Sequence, residues 1–389
     1  MNTAEHKRLQ ENSIKEVPLE MWGPYLSERQ WGTVREDYSS DGDAWNYFPH
    51  DHARSRVYRW GEDGLAGISD IFQNLCFSIA LWNGKDPILK ERLFGLGNHE
   101  GNHGEDVKEL YYYLDNIPTH YYMKYLYKYP QNAYPYLDLI NKNNTRNKYD
   151  PEYEILDTGI FNDNKYFDVY VEYAKNNSED IFIKIEIINR GNQSAHITVL
   201  PTLWFSNNWQ YAGEENKPSI VLLDGQSVKA THKNLGDYYL SFQQPNEVLF
   251  TENETNFERL YNRSNKTEFV KDAFHEAIIN GTNHEKLVEK KQGTKFSPVY
   301  HYEIKAKQSQ KIYLRLSNEK PNEAFPEKFE EIFEIRKKEA DEFYEAVSPA
   351  NSTPDQKNIQ RQAFAGLLWN KQYYHYDVES RSRRCSDRK

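Results

Sequence analysis

Cysteine is nearly missing from this 389-residue chain, which has only Cys76 and Cys385. Two thiols exclude a disulfide-framed secreted scaffold and any zinc module built on several cysteines. Long apolar runs are missing too: no stretch approaches 18 residues, so no membrane-spanning helix is expected. The opening MNTAEHKRLQENS lacks the apolar centre of a secretory signal, which points to a cytoplasmic location. An excess of basic charge is also lacking. Lys and Arg number 49 against 59 Asp and Glu, a net charge of −10, so no nucleic-acid partner is expected. Neither a phosphate loop nor a dinucleotide glycine pattern precedes a convincing helix, and no serine elbow occurs, so no cofactor is expected. Aromatic residues, by contrast, are abundant. They make up 15% of the chain, with 30 Tyr and 8 Trp. Such rings suit platforms that stack flat, hydroxyl-rich ligands, and they also fill β-cores.

The hydrophobic period changes along the chain. Residues 1–160 mix Trp, Tyr, Gly and His without a clean repeat, and Ile68–Leu81 reads as either a helix or a fully buried strand. From about residue 165 the period becomes two. Runs at Tyr166–Ala174, Ile181–Ile188, His196–Phe205, Ser219–Leu223, Tyr238–Phe242, Val248–Phe250, Val299–Lys305 and Lys311–Leu316 read as strands joined by short turns. Together they predict a large antiparallel β-sandwich. After Leu316 helical spacing takes over through Phe325, Phe329, Phe333, Ala340, Phe343 and Tyr344. Thr353 as N-cap and Pro354 at the first helical position then open a second helix, with Ile359, Ala363, Leu367 and Trp369 as its apolar face. Residues 380–389 carry five basic residues and no periodic apolar position, and read as a tail unrelated to what precedes it.

Several motifs resolve into chemistry or its absence. His99-Glu-Gly-Asn-His103 matches H-E-x-x-H by letter, but a zinc site needs both His one helical turn apart. Glycines at 95, 97, 101 and 104 disfavour that helix by about 1 kcal/mol each relative to Ala, so a loop is expected and no metal. His50 and His52 would share a face only on a strand. The acidic pairs Glu36-Asp37, Glu62-Asp63 and Glu105-Asp106 stand near aromatics. Glycoside hydrolysis needs two carboxylates flanking the scissile bond, roughly 5–10 Å apart. Adjacent strand residues point to opposite faces, so none of these pairs is itself that dyad. The richest segment is Trp22–Asp70, where Trp–Gly steps set flat rings beside charged groups. Stacking on a ring face with charged groups on its hydroxyls is the chemistry of a carbohydrate site. Trp22, Trp31, Arg35, Glu36, Asp37, Trp60, Glu62 and Asp63 are the candidate substrate-binding residues.

The blocks WGPYLSERQWGTVREDYS (22–39), FPHDHARSRVYRWGEDGLAGISD (48–70) and LCFSIALWNGKDPILKERLFGL (75–96) carry a resemblance, as does EGNHGEDVKELYYYLDNIPTH (100–120). YEILDTGIFNDNKYFDVYVEYAK (153–175), LPTLWF (200–205) and QAFAGLLWNKQYYHYDV (362–378) extend it. Together they resemble the N-terminal half of proteins related to glycoside hydrolase family 63, the processing α-glucosidase I-like and mannosylglycerate hydrolase-like group. The resemblance implies a β-supersandwich followed by an (α/α)6 barrel, with inverting hydrolysis by an acid and a base on barrel loops. On that pattern residues 1–318 are the sandwich, 319–353 a linker helix and hinge, 354–378 the first barrel helix, and 379–389 the unrelated tail. The acid and base would then lie outside this chain, so no catalytic residue is assigned, and a carbohydrate is the expected partner. A stand-alone carbohydrate-binding module is the alternative. Helix faces made for a barrel would leave this chain prone to self-association.

Overall fold

The computed structural model describes residues 3–13, 18–27, 43, 49–58, 61–97, 100, 106–326 and 329–372. The strands, in chain order, begin with β1 (Trp22–Gly23), β2 (Leu65–Asp70) and β3 (Leu75–Trp82), then a ribbon of β4 (Gly95–Leu96) and β5 (Asp106–Val107). Next come β6 (Tyr111–Asn116), β7 (Tyr122–Pro130), β8 (Tyr166–Asn177), β9 (Asp180–Asn189) and β10 (Ala195–Phe205). The last set is β11 (Ser219–Asp224), β12 (Ser227–His232), β13 (Gly236–Phe242), β14 (Glu247–Thr251), β15 (Gln292–Gly293), β16 (Lys295–Ile304) and β17 (Ser309–Ser317). Two large antiparallel sheets result, ordered β1-β2-β3-β10-β16-β14 and β15-β11-β12-β13-β17-β9-β8-β7-β6. The fold is mainly β, as the period-two runs foretold.

Alternation explains how the sheets face each other. On β3, Leu75, Phe77, Ile79 and Leu81 are fully buried in the shared core, and on β9 Ile181, Ile183, Ile185 and Ile187 meet them from the other sheet. Their in-between neighbours point outward, where each sheet acquires a cover. Over the six-stranded sheet lie helices α2 (Ala273–Asn280) and α3 (His284–Glu289), which bury Phe274 and Leu287 against Leu200, Leu249 and Val299. Over the nine-stranded sheet lies α4 (Phe329–Val347), whose Phe329 and Phe333 cluster with Phe182. An amino-terminal helix, α1 (Ala4–Ser13), packs along α4 through the Arg8–Glu339 pair at 2.5 Å.

The segment Ile68–Leu81 is two strands rather than one element. Asp70 turns the chain by accepting from the backbone N–H of Phe72 at 3.0 Å and of Leu75 at 2.7 Å. That is the Asx-turn chemistry which breaks an otherwise continuous apolar run. The final helix, α5 (Pro354–Trp369), starts where the sequence placed it. The Thr353 hydroxyl accepts from Gln356 N while the Gln356 side chain returns to Thr353 N, a capping box. Its buried face, however, is Ala365 and Trp369, whereas Ile359 and Leu367 are 61% and 73% exposed. Trp369 wins because its ring enters the sandwich core, stacking on Tyr113 at 5.5 Å and donating to the Asp115 carbonyl at 2.9 Å. No described helix is long and apolar enough to cross a membrane.

Candidate functional site

The outward face of the six-stranded sheet is polar where β3, β10 and β16 run side by side. Cys76, Trp204 and Lys295 are paired across the three strands, with Ser78 opposite Thr202 one step further on. Antiparallel partners share a face, so this row is set by register alone. Loops converge on it from far apart in the sequence. Glu62 and Asp63 precede β2, Glu91 and Arg92 follow the turn after β3, Asn253 follows β14, and Lys271 precedes α2. Together they line one small cavity of about 20 Å³, room for roughly one water-sized molecule.

Three acids and three bases therefore line one cavity, with Glu62, Arg92, Lys271 and Lys295 buried and Asp63 and Glu91 half-buried. Asp63 lies 3.5 Å from Arg92, which lies 3.2 Å from Glu91, which lies 3.1 Å from Lys295. Lys271 donates to the Arg56 carbonyl at 2.9 Å and sits 4.0 Å above the Tyr58 ring. Glu62 accepts from the Ser206 hydroxyl at 3.1 Å. Burial pushes the Glu62 carboxyl up to about 7, and the charge of Asp63 adds to this against the opposing pull of Lys271 and of hydrogen bonds from Ser206 and Trp204. Burial and the neighbouring Arg92 bring Lys271 down to about 8. Glu91 goes the other way. Burial would raise it, but Lys295, Arg92 and Lys271 outweigh that and hold it at about 2. The network thus keeps fixed charges on Glu91 and Arg92 and leaves Glu62 and Lys271 able to exchange a proton near neutral pH. Strongly shifted acids and bases in one pocket mark a functional-site candidate.

Of the residues chosen from sequence, Glu62 and Asp63 fall in this cluster. Adjacent residues were expected to point to opposite faces; here they occupy an irregular segment, and both line the same cavity. Trp22 is enclosed instead. It is 0% exposed in the sandwich core and donates its indole N–H to the Tyr238 hydroxyl at 3.1 Å, so its ring offers no face to a ligand. Trp31, Arg35, Glu36, Asp37 and Trp60 lie outside the described residues, as do His99, His103 and Glu105. His50 and His52 sit on a single helical turn, His50–Ala53, so they do not share a face. His50 packs against Phe94 and Tyr136. Among the described residues no group of three His, Cys, Asp or Glu is placed to hold a metal. Sequence reading missed Glu91, Arg92, Trp204, Lys271 and Lys295. Glu91 and Arg92 lie inside one of the quoted blocks, whereas the two lysines carry no local signal and are brought in by topology.

No protein-family model matches the chain. The chain is 42% identical, over 97% of its length, to the uncharacterized protein YMR196W of Saccharomyces cerevisiae. It spans only 39% of that protein's length. Among solved structures it is similar to a putative kojibiose phosphorylase from the human microbiome (7% identity, 52% of this chain and 21% of that one, TM-score 0.22). A polysaccharide lyase gives 10% identity over 67% of this chain and 28% of that one, with a TM-score of 0.30. A family GH92 α-mannosidase from Bacteroides thetaiotaomicron gives 8% over 51% and 22%, with a TM-score of 0.20.

Proposed function

We propose that this chain is the carbohydrate-recognising sandwich domain of a glycoside hydrolase of the inverting, α-glucosidase-type class related to family 63. Hydrolysis would be carried out by an acid and a base elsewhere in a longer protein. The observation that carries this reading is the meeting of Glu62 and Asp63 with Arg92, Glu91 and Lys271 around one cavity. Those two carboxylates follow Trp60 and Gly61 in the chain, within the segment richest in Trp, Gly and charge. The cavity is too small for a sugar ring, so the network serves as a rigid charged floor. Rings and hydroxyl-binding groups of the neighbouring segment would then meet the sugar above it. The blocks resembling family 63 are spread between residues 22 and 378, and they support the same reading.

Calorimetric titration with α-linked gluco-oligosaccharides and small mannosides tests it. Trp31→Ala and Trp60→Ala should each weaken binding at least tenfold, about 1.4 kcal/mol. Purified chain should leave α-linked disaccharides intact. Wild-type affinity in both tryptophan variants would make those rings core contacts, and no binding by the wild-type chain would remove the carbohydrate reading. Turnover of disaccharides at an ordinary rate would instead overturn the placing of the acid and base outside this chain.

A further inference from the structure

The three residues after α5 connect regions of the chain that are far apart in sequence. Gln372 forms an antiparallel bridge with Leu26, and the Ser27 hydroxyl lies 3.2 Å from the Asn370 side-chain oxygen, to which it donates. Between them the Lys371 ammonium donates to His120 Nε2 at 3.0 Å, which leaves the His120 Nδ1 proton for Asn116 at 2.9 Å. Burial and the nearby Lys371 charge keep His120 neutral, as that arrangement requires. Upstream, α5 is held on the sandwich by Trp369 and by Arg361, which pairs with Asp115 and lies 2.6 Å from Asp341.

Leu26 carries this attachment across to the other sheet. Its side chain is 3% exposed and clusters with Cys76 and Trp204 on the outward face of β3 and β10. It lies so close over β2 that a Cβ on Gly67 would come within 2.7 Å of it. Trp204 in turn lines the charged cavity together with Glu62. A continuous run of packed groups therefore leads from α5 through residues 370–372, Leu26 and Trp204 to the acid–base cluster.

We propose that residues 370–372 are a strap. By pairing with Leu26 and Ser27 they press Leu26 onto Trp204, so the seating of α5 on the sandwich sets the geometry around Glu62. Leu26 is the positioning residue of this device, and the coupling does not depend on which ligand the cluster meets. A chain of packed side chains carries coupling only if both of its ends respond together, and this one offers a separate reporter at each end.

The test uses the whole chain and the Trp204 indole N–H resonance, assigned with Trp204→Phe and followed against pH. In the wild type it should titrate with Glu62, near pH 7. In Leu26→Ala the midpoint should fall by about one unit, a tenfold loss of proton affinity, because water reaches the loosened pocket. Amide exchange in α5 should stay unchanged in that variant, and Leu26→Met should restore the midpoint. In Trp369→Ala, exchange in α5 should rise at least tenfold and the Trp204 midpoint should fall with it. If Trp369→Ala does not fold, the paired variant Ser27→Ala with Asn370→Ala replaces it, and the same outcome is expected. A loosened α5 with an unmoved Trp204 midpoint, or an unmoved midpoint in Leu26→Ala, overturns the strap.

Discussion

Replacing Lys90 by alanine is expected to lower the free energy of unfolding by about 3–5 kcal/mol, the usual cost of breaking a buried ion pair from one side. Lys90 and Glu109 approach to 2.5 Å with side chains 0% and 1% exposed. Glu109 also accepts from Phe94 N at 2.6 Å and from the Tyr127 hydroxyl. The ammonium lies 4.5 Å above the Tyr134 ring. Removing it leaves a carboxylate in surroundings made of tyrosine rings, with two neutral donors to hold its charge. Against a total stability of about 5–15 kcal/mol, the loss is large enough for urea denaturation to read directly. The double variant Lys90→Met with Glu109→Gln should recover much of it, since neither charge then remains buried. A loss below about 1 kcal/mol in the single variant, the range of exposed pairs, would show that the pair is solvated.

Stability should also rise as the solution is made alkaline, and Lys175 is the main cause. Its ammonium is fully buried and donates to the carbonyls of Leu19, Trp22 and Thr119 at 3.0, 2.5 and 3.2 Å. Burial outweighs those acceptors and brings it from an ordinary 10.5 down to about 7, with the Lys371 charge adding to the fall. The unfolded chain keeps this proton up to about pH 10.5, while the folded chain sheds it above about 7. The folded state therefore gains by about 1.4 kcal/mol per pH unit across that window, and below pH 7 the term is flat. Lys271 adds a gain of the same sign above about pH 8. Glu62 does the reverse at lower pH: its raised carboxyl favours the folded state most below about 4.5, and that advantage is lost as pH rises through 7. Unfolding free energies measured at intervals from pH 7.5 to 9.5 should climb in the wild type and climb much less in Lys175→Met. Equal slopes in the two chains would mean that Lys175 keeps its proton throughout.

How far the fold could be read in advance depended on whether the cause was local. Isoleucines at 181, 183, 185 and 187 repeat with the period of a strand, and they form its core face. Thr353 and Pro354 fix a helix start by capping chemistry within four residues. Ser227–His232, by contrast, is a strand with few apolar residues, held by pairing to neighbours on both sides, and its own pattern does not announce it. The face of α5 was misread because Ile359, Ala363 and Leu367 repeat at the spacing of a buried stripe. The single ring of Trp369 buries more against Tyr113 and Tyr125 than that stripe could against solvent-facing surroundings. Glu62 and Asp63 could be singled out because they sit among Trp and Gly. Their counter-ions could not, because Lys295 reaches them through the register of β16 with β10, and Lys271 through the loop that leads into α2.

That register also bears on how the chain is made. β3 can pair with β2 as it emerges, but its other edge has no partner until β10 has been synthesised, roughly a hundred residues later, and β10 waits about as long again for β16. At ordinary synthesis rates each interval is on the order of ten seconds. During the first, the fully apolar row Leu75, Phe77, Ile79 and Leu81 has an unpaired edge on a growing chain. Trp369 closes the core last of all. Such a chain folds slowly, because its pairings are distant in sequence, and its yield in a cell should depend on chaperones that shelter β3 until β10 arrives.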